Sequence, residues 1–382
     1  MRVYLDHNAS TRPHPSVVRA MARFLDEDFG NPSSIHAAGR AARDAIERAR
    51  DQVARLVGVG RDELVFTSGG TEGNNLAIRG GAEAARAADP RRTRVLTTSI
   101  EHPSVLAAAL ALELRGFAVT RLPVDASGRL DEDALERALG SDVALLTVQA
   151  ANHELGNLLP IARLVERAHA AGVWVHTDAV QAAGKLPLEL RALGVDLATL
   201  SAHKLYGPKG AGAVYLRAGC DVSPHTVGGH QERERRPGTE NVAALVGFGV
   251  AAERAVEEGG AWAAHVEALR DRLEAGALAL GARVNGDPGA RVGNTTNLSW
   301  DGADGELVVE SLDLEGIAAS TGAACTSGSL EPSPVLLALG QSPAQARTAV
   351  RFSLGRENSA QEIDHVLARL PEILRRVRSA MA

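Results

Sequence analysis

The sequence predicts an α/β protein: a mostly parallel seven-stranded sheet flanked by helices, joined to a smaller α+β part. Two observations carry that expectation. Short apolar runs alternate with longer Ala-, Leu-, Glu- and Arg-rich segments of helical spacing, the pattern of parallel strands covered on both faces. Polar residues also cluster directly after the strands, at 68–72, 101–102, 152–154, 176–181 and 201–204, where ligands of such sheets bind.

In chain order, the strand candidates are 63–68 (ELVFTS), 94–99 (RVLTTS), 117–122 (FAVTRL), 143–148 (VALLTV), 173–178 (VWVHTD), 197–202 (LATLSA) and 212–217 (GAVYLR). Helical spacing marks 40–57, 73–87, 103–114 and 161–171. From about Asn241 the pattern changes to a long helical stretch, 243–281, and then to the short segments 294–300 and 348–355. The expected division is a large domain at 14–255 and a small domain built from 1–13 and 256–382.

With 382 residues, the chain can bury a sizeable core, and 45% hydrophobic with 23% charged residues is ordinary for a globular enzyme. The net charge of −6 argues against a dedicated nucleic-acid surface. The basic runs at 90–94 and 233–237 are short and read as solvated loops. Two cysteines, Cys220 and Cys325, cannot make a disulfide framework or a Cys-rich zinc site, which points to a reducing compartment. The N-terminus has no signal-like apolar core and no apolar run reaches spanning length, so the expectation is a cytoplasmic protein without membrane contact.

Three segments carry chemistry. "FTSGGTEGNN" (66–75) is a strand, a Gly-Gly turn and a helix start, whose free N–H groups suit a phosphate; an ordinary capped turn has the same composition. "VHTDAVQAAGK" (175–185) sets Asp178 at a buried strand end, where a carboxylate needs a cation: a protonated heterocyclic nitrogen or an Arg. "LSAHKLYGPKG" (200–210) sets Lys204 after an apolar strand, and a lysine kept from water tends to lose its proton and form Schiff bases. Together they supply a phosphate cradle, a carboxylate for a ring nitrogen and an amine for an aldehyde, which are the needs of pyridoxal 5'-phosphate. A fourth segment, "STGAACTSGS" (320–329), surrounds Cys325 with small and hydroxylated residues, whereas a structural cysteine is usually buried among apolar ones.

At this point the chain resembles the cysteine desulfurases of the NifS/IscS type, within the class V aminotransferase family of fold-type I pyridoxal-phosphate enzymes. The resemblance runs from "YLDHNAST" (4–11) through "FGNPSS" (29–34), "TSIEH" (98–102), "NHELG" (152–156) and "RPGTENV" (236–242) to "GAACTSGSLEPS" (322–333) and "VRFSLG" (350–355). It implies that Lys204 binds the cofactor aldehyde and shuttles a proton. Asp178 would bond the ring nitrogen, Gln181 the phenolic oxygen, and His102 would stack on the ring. Gly70, Thr71, Ser201 and His203 would hold the phosphate, with Thr239 reaching the phosphate of a neighbouring subunit in a homodimer. Arg351 would clamp the α-carboxylate of L-cysteine, with Asn31 and Asn152 also on the substrate side. Cys325 would take the sulfur as a persulfide, on a loop at about 320–333, and pass it to a protein acceptor; Cys220 matches no motif.

Two departures stand out. His153 occupies the place where the family usually has a second Asn toward the cofactor, and His230 in "VGGHQE" replaces a common Gly. The chain also stops soon after its last helix, so the expected acceptor differs from that of members with longer tails. The alternatives are selenocysteine lyase, another class V reaction such as transamination, and a non-catalytic sulfur-relay component. A transaminase needs no cysteine at position 325, and a relay needs no retained Lys204, Asp178, His102 and Arg351.

Overall fold

The protein is described by a computed structural model that covers residues 1–322 and 331–381. A two-residue strand β1 (Val3–Tyr4) precedes the seven strands of the main sheet: β2 (Leu64–Thr67), β3 (Arg94–Thr98), β4 (Ala118–Leu122), β5 (Val143–Gln149), β6 (Trp174–Asp178), β7 (Leu197–Ser201) and β8 (Gly212–Leu216). Their spatial order is β2-β8-β7-β6-β5-β3-β4. All seven coincide with runs expected from the sequence. Every residue of β2, β5, β7 and β8 is buried, which is why these strands read as continuous apolar runs rather than alternating ones.

Within this sheet β8 runs antiparallel to both of its neighbours, and the pairs among β3 to β7 are parallel. The connection from β7 to β8 is too short for a crossover helix, so the chain must turn straight back. That turn carries His203 and Lys204. The helix Gly70–Ala88 follows β2 and packs across β5, β7 and β8. Its entry is fixed by two glycines. Gly69 adopts φ 154° and ψ −175°, a region in which only glycine rests easily. Gly212 lies against it: a Cβ there would stand 2.7 Å from both the Gly69 Cα and the Leu200 carbonyl oxygen.

The helix Val242–Ala279 links two apolar clusters. Its first turns (Ala244, Leu245, Phe248, Ala251) join the core under the main sheet. Its later residues (Val266, Leu269, Leu273, Ala277) pack with Val3, Leu5, Trp300, Phe352 and Leu370. Around this second cluster lie β9 (Arg283–Val284), β10 (Thr295–Ser299), β11 (Ile317–Ala318) and β12 (Ala349–Ser353). The order β12-β10-β9 is antiparallel, and β1 pairs parallel with β11, so the N-terminus closes onto the C-terminal part. Helices Pro15–Asp26, Glu132–Ala138 and Gly305–Leu314 are capped by the side chains of His14, Asp131 and Asp304 and were not anticipated. Among the described residues no helix is long and apolar enough to cross a membrane.

The close approach of Gly212 to Gly69 has a measurable cost. Gly212→Ala should lower unfolding stability by about 1–3 kcal/mol in urea, as overpacking against backbone does. An unchanged urea midpoint would show that the turn has room to shift.

Candidate active site

At the carboxyl ends of β5, β6 and β7 the chain encloses a cavity of about 380 Å³. Ten residues singled out in the sequence line it: Gly70, Thr71, His102, His153, Asp178, Gln181, Ser201, His203, Lys204 and Arg351. One side is the N-terminus of the helix Gly70–Ala88, whose first N–H groups and dipole favour an anion. Facing it, the buried Ser201 hydroxyl has no hydrogen-bond partner among the described residues. A buried hydroxyl without a partner is costly, so it marks a place for a ligand oxygen.

Asp178 ends β6 and is 6% exposed. Its Oδ2 accepts a bond from Asn74 Nδ2 (2.8 Å) and its Oδ1 one from the Val180 N–H (3.0 Å). Both partners are neutral, and no Lys or Arg pairs with this carboxylate among the described residues. A protonated ring nitrogen would supply the missing cation.

His102 caps the helix Pro103–Ala111 by accepting the Ser104 N–H at Nδ1 (3.1 Å). A backbone N–H can only donate, so a neutral His102 ring carries its proton on Nε2. The His153 ring meets it edge-on, with centroids 5.1 Å apart and planes at 75°. Burial, and then the neighbouring His153, push His102 down to about 4, with Asp178 pulling upward and Lys204 adding a lesser downward push. Burial with Lys204 and Lys209 likewise lowers His203 to about 4. Both rings are therefore neutral at neutral pH.

The N-terminal segment forms the floor. Lys204 Nζ donates to the carbonyls of Asn8 (2.5 Å) and Ala9 (2.8 Å). His203 is held from the same segment: its carbonyl accepts from both the N–H and the hydroxyl of Thr11 (2.9 Å each). Past Lys204 the chain turns through Tyr206 at φ 65°, a strained value for an aromatic residue, fixed by a bond from its N–H to Thr11 Oγ1. Opposite, Arg351 is 2% exposed on β12. It donates to the His153 carbonyl (2.9 Å) and to Asp6 Oδ1 (2.6 Å), and its Nε–H is buried without a partner. That leaves a donor edge for a carboxylate.

Asn31, Asn152 and Thr239 stand outside this lining. The Asn152 amide is already engaged, accepting from the Glu154 and Leu155 N–H groups of its own turn and donating to the distant Ile100 carbonyl. Asn31 is exposed and accepts the Ser33 N–H, and Thr239 is exposed. Cys325 lies outside the described residues, although Gly322, three positions earlier, lines the cavity. The other thiol, Cys220, is buried in an apolar cluster, and burial raises its pKa. The cavity also draws on Asn8, Asn74, Ser104 and Gln149, which the sequence did not single out.

A helix N-terminus, a carboxylate without a cationic partner and an amine among backbone carbonyls are groups that suit a phosphorylated aldehyde with a basic ring nitrogen. Comparison with known proteins gives the family. Residues 3–366 match the Aminotransferase class-V family, and the chain belongs to it. The chain is 49% identical over 382 residues to the cysteine desulfurase of Cereibacter sphaeroides, covering 99% of this chain and 97% of that one. Against the cysteine desulfurase NifS of Azotobacter vinelandii it is 46% identical over 380 residues, covering 99% and 94%. A solved NifS-like protein superposes with a TM-score of 0.92 at 37% identity, covering 98% of this chain and 100% of that one. The family implies pyridoxal 5'-phosphate, and the orphaned Ser201 hydroxyl and the unpaired Asp178 carboxylate fit that group.

The buried imidazoles make stability depend on pH. His7, His102 and His203 are lowered to about 4 and His176 to about 3, chiefly by burial. The unfolded chain takes these protons near 6.5 and the folded chain only near 4 or below, so their contribution is lost as pH falls through that window. Glu101, raised to about 8 by burial, acts oppositely: it stabilises below its ordinary 4.5, and that is lost as pH rises toward 8. The histidines outnumber it. The urea midpoint of the cofactor-free protein should fall from pH 6.5 to 4.5, with up to about 1.4 kcal/mol per pH unit from each buried histidine. A flat midpoint over that range would contradict these burial effects.

Proposed function

We propose that the protein is a pyridoxal-phosphate-dependent cysteine desulfurase, converting L-cysteine to L-alanine and leaving the sulfur as a persulfide on Cys325. The observation that carries this reading is one cavity that joins Lys204, Asp178 and Arg351 and includes Gly322 in its wall. Gly70, Thr71, Ser201 and His203 would hold the phosphate, Asp178 the ring nitrogen and Gln181 the phenolic oxygen. When bound, the cofactor supplies an electron sink for the pair released at the substrate Cα.

The chain's own residues do the rest. Arg351 binds the α-carboxylate through its unpartnered Nε edge, which fixes which substituent of Cα faces the cofactor plane. Lys204, freed when substrate takes its place, moves the Cα proton. His102, neutral at working pH, can take a proton from the incoming substrate amine or thiol. The Cys325 thiolate attacks the substrate sulfur: the substrate Cβ–S bond breaks, the new S–S bond forms, and alanine departs with its Cβ protonated. The persulfide then passes to a protein acceptor. In the proposed homodimer the exposed Thr239 reaches the phosphate of the neighbouring site.

With cysteine and a thiol reductant, alanine and sulfide should form in equal amounts. Lys204→Ala should lose the visible colour of the bound cofactor together with turnover. Cys325→Ser should keep the colour and lose at least about a hundredfold in kcat. Normal desulfuration by Cys325→Ser would remove it as the nucleophile, and a colourless native protein would sink the cofactor assignment.

A further inference from the structure

Lys185 is a second amine beside the cavity, and the reaction outlined above does not use it. It follows Ala183 and Gly184 after the Asp178 strand and reaches back under the floor of the site. Its Nζ lies 2.5 Å from Gln181 Oε1 and 2.8 Å from Asn8 Oδ1. Those are the carbonyl ends of two side-chain amides, and an amine facing both can only donate to them.

The consequence is polarity. With its carbonyl held by Lys185, Gln181 must turn its NH₂ the other way, where one hydrogen meets the Asn8 carbonyl (3.0 Å). The second hydrogen of that NH₂ is left for the cavity that Gln181 lines. Asn8 is oriented by the same contact: its Nδ2 is directed at the His153 carbonyl (3.2 Å) and Thr295 Oγ1 (2.9 Å). The Asn8 carbonyl also receives Lys204 Nζ. One amine therefore touches the side chain expected at the cofactor's phenolic oxygen and the residue on which the cofactor lysine rests.

We propose that Lys185 is a positioning residue that locks the Gln181 amide with its N–H toward the phenolic oxygen of the cofactor, while holding Asn8 beneath Lys204. The proposal rests on the cofactor reading given above. The charged and titratable groups around Lys185 agree with a role in orientation rather than in ion pairing. Lys204 and Arg351 are like-charged neighbours, His7 is neutral, and Asp6 is already held by Arg351. Burial, and then Lys204 and Arg351, lower the pKa of Lys185 well below that of a free lysine, and the two atoms its Nζ faces are both carbonyl oxygens, which can only accept.

The sign of the effect follows from competition for one oxygen. A Gln181 N–H on the phenolic oxygen competes with the protonated nitrogen that joins Lys204 to the cofactor. Losing that N–H makes the nitrogen hold its proton to higher pH. The test is a pH titration of the visible band of the holoenzyme. Lys185→Met should keep the band but raise its midpoint by roughly half a pH unit or more, with about a tenfold loss in kcat. In a Gln181→Ala background the same substitution should move the midpoint by less than half as much. Lys185→Gln, which keeps a donor, should lie between wild type and Lys185→Met, and it serves if Lys185→Met does not fold. An unmoved midpoint, or an equal shift with and without Gln181, would overturn the proposal. A wild-type protein without any visible band would overturn the cofactor reading instead.

Discussion

Asn8 bonds with every polar group it has, and the site depends on it. Its N–H donates to Ser353 Oγ; its carbonyl accepts from Gln181 Nε2 and Lys204 Nζ. Its Oδ1 accepts from Lys185 Nζ and Asn294 Nδ2, and its Nδ2 donates to the His153 carbonyl and Thr295 Oγ1. The partners come from both halves of the fold: Lys204 and Gln181 from turns that follow strands of the main sheet, Ser353 and Thr295 from strands beyond the long helix. A residue satisfied on all sides in a buried setting is hard to move, because each broken bond leaves a desolvated group behind. The floor of the cavity is thus fixed to both halves of the fold at one point.

The fixed floor answers an electrostatic difficulty. Lys185, Lys204 and Arg351 gather around one partly enclosed space, where unbalanced positive charge is expensive. The protein meets this in three ways. Arg351 is paired with Asp6, Lys204 rests on two backbone carbonyls, and the imidazoles of His7, His102 and His203 stay neutral. The residual positive potential suits a ligand that brings its own anions, a phosphate at one end and a carboxylate at the other. Asp178, held only by neutral donors, gives the opposite sign where a ring cation would sit. Such division of charge lets one cavity bind both and keep an amine reactive.

Much of this was legible in the sequence, for identifiable reasons. Most strands of the main sheet are buried on both faces, so they stand out as apolar runs (β4, with Ala118 and Arg121 exposed, is the exception), and the polar residues after the strands fall into one cavity because parallel strands share an end. The two-residue strands β1, β9 and β11 have too few residues to show a period. Asn8, Asn74 and Gln149 were missed because a single polar residue in a loop, helix or strand looks the same whether it faces solvent or ligand. Lys185 was quoted within its motif, yet its burial arises only when the N-terminal segment folds across it. Asn152 shows the converse: a polar residue beside the cavity whose groups are consumed by its own turn and by the Ile100 carbonyl.

Lys204 lines the cavity and Lys185 lies behind two of its lining residues, Asn8 and Gln181, and in the proposed function only Lys204 takes the cofactor aldehyde. Reduction of the coloured holoenzyme with borohydride would make that attachment permanent, and peptide mapping would locate it. A single pyridoxyl group on Lys204 is expected. A label on Lys185, or no label on either lysine, would contradict it.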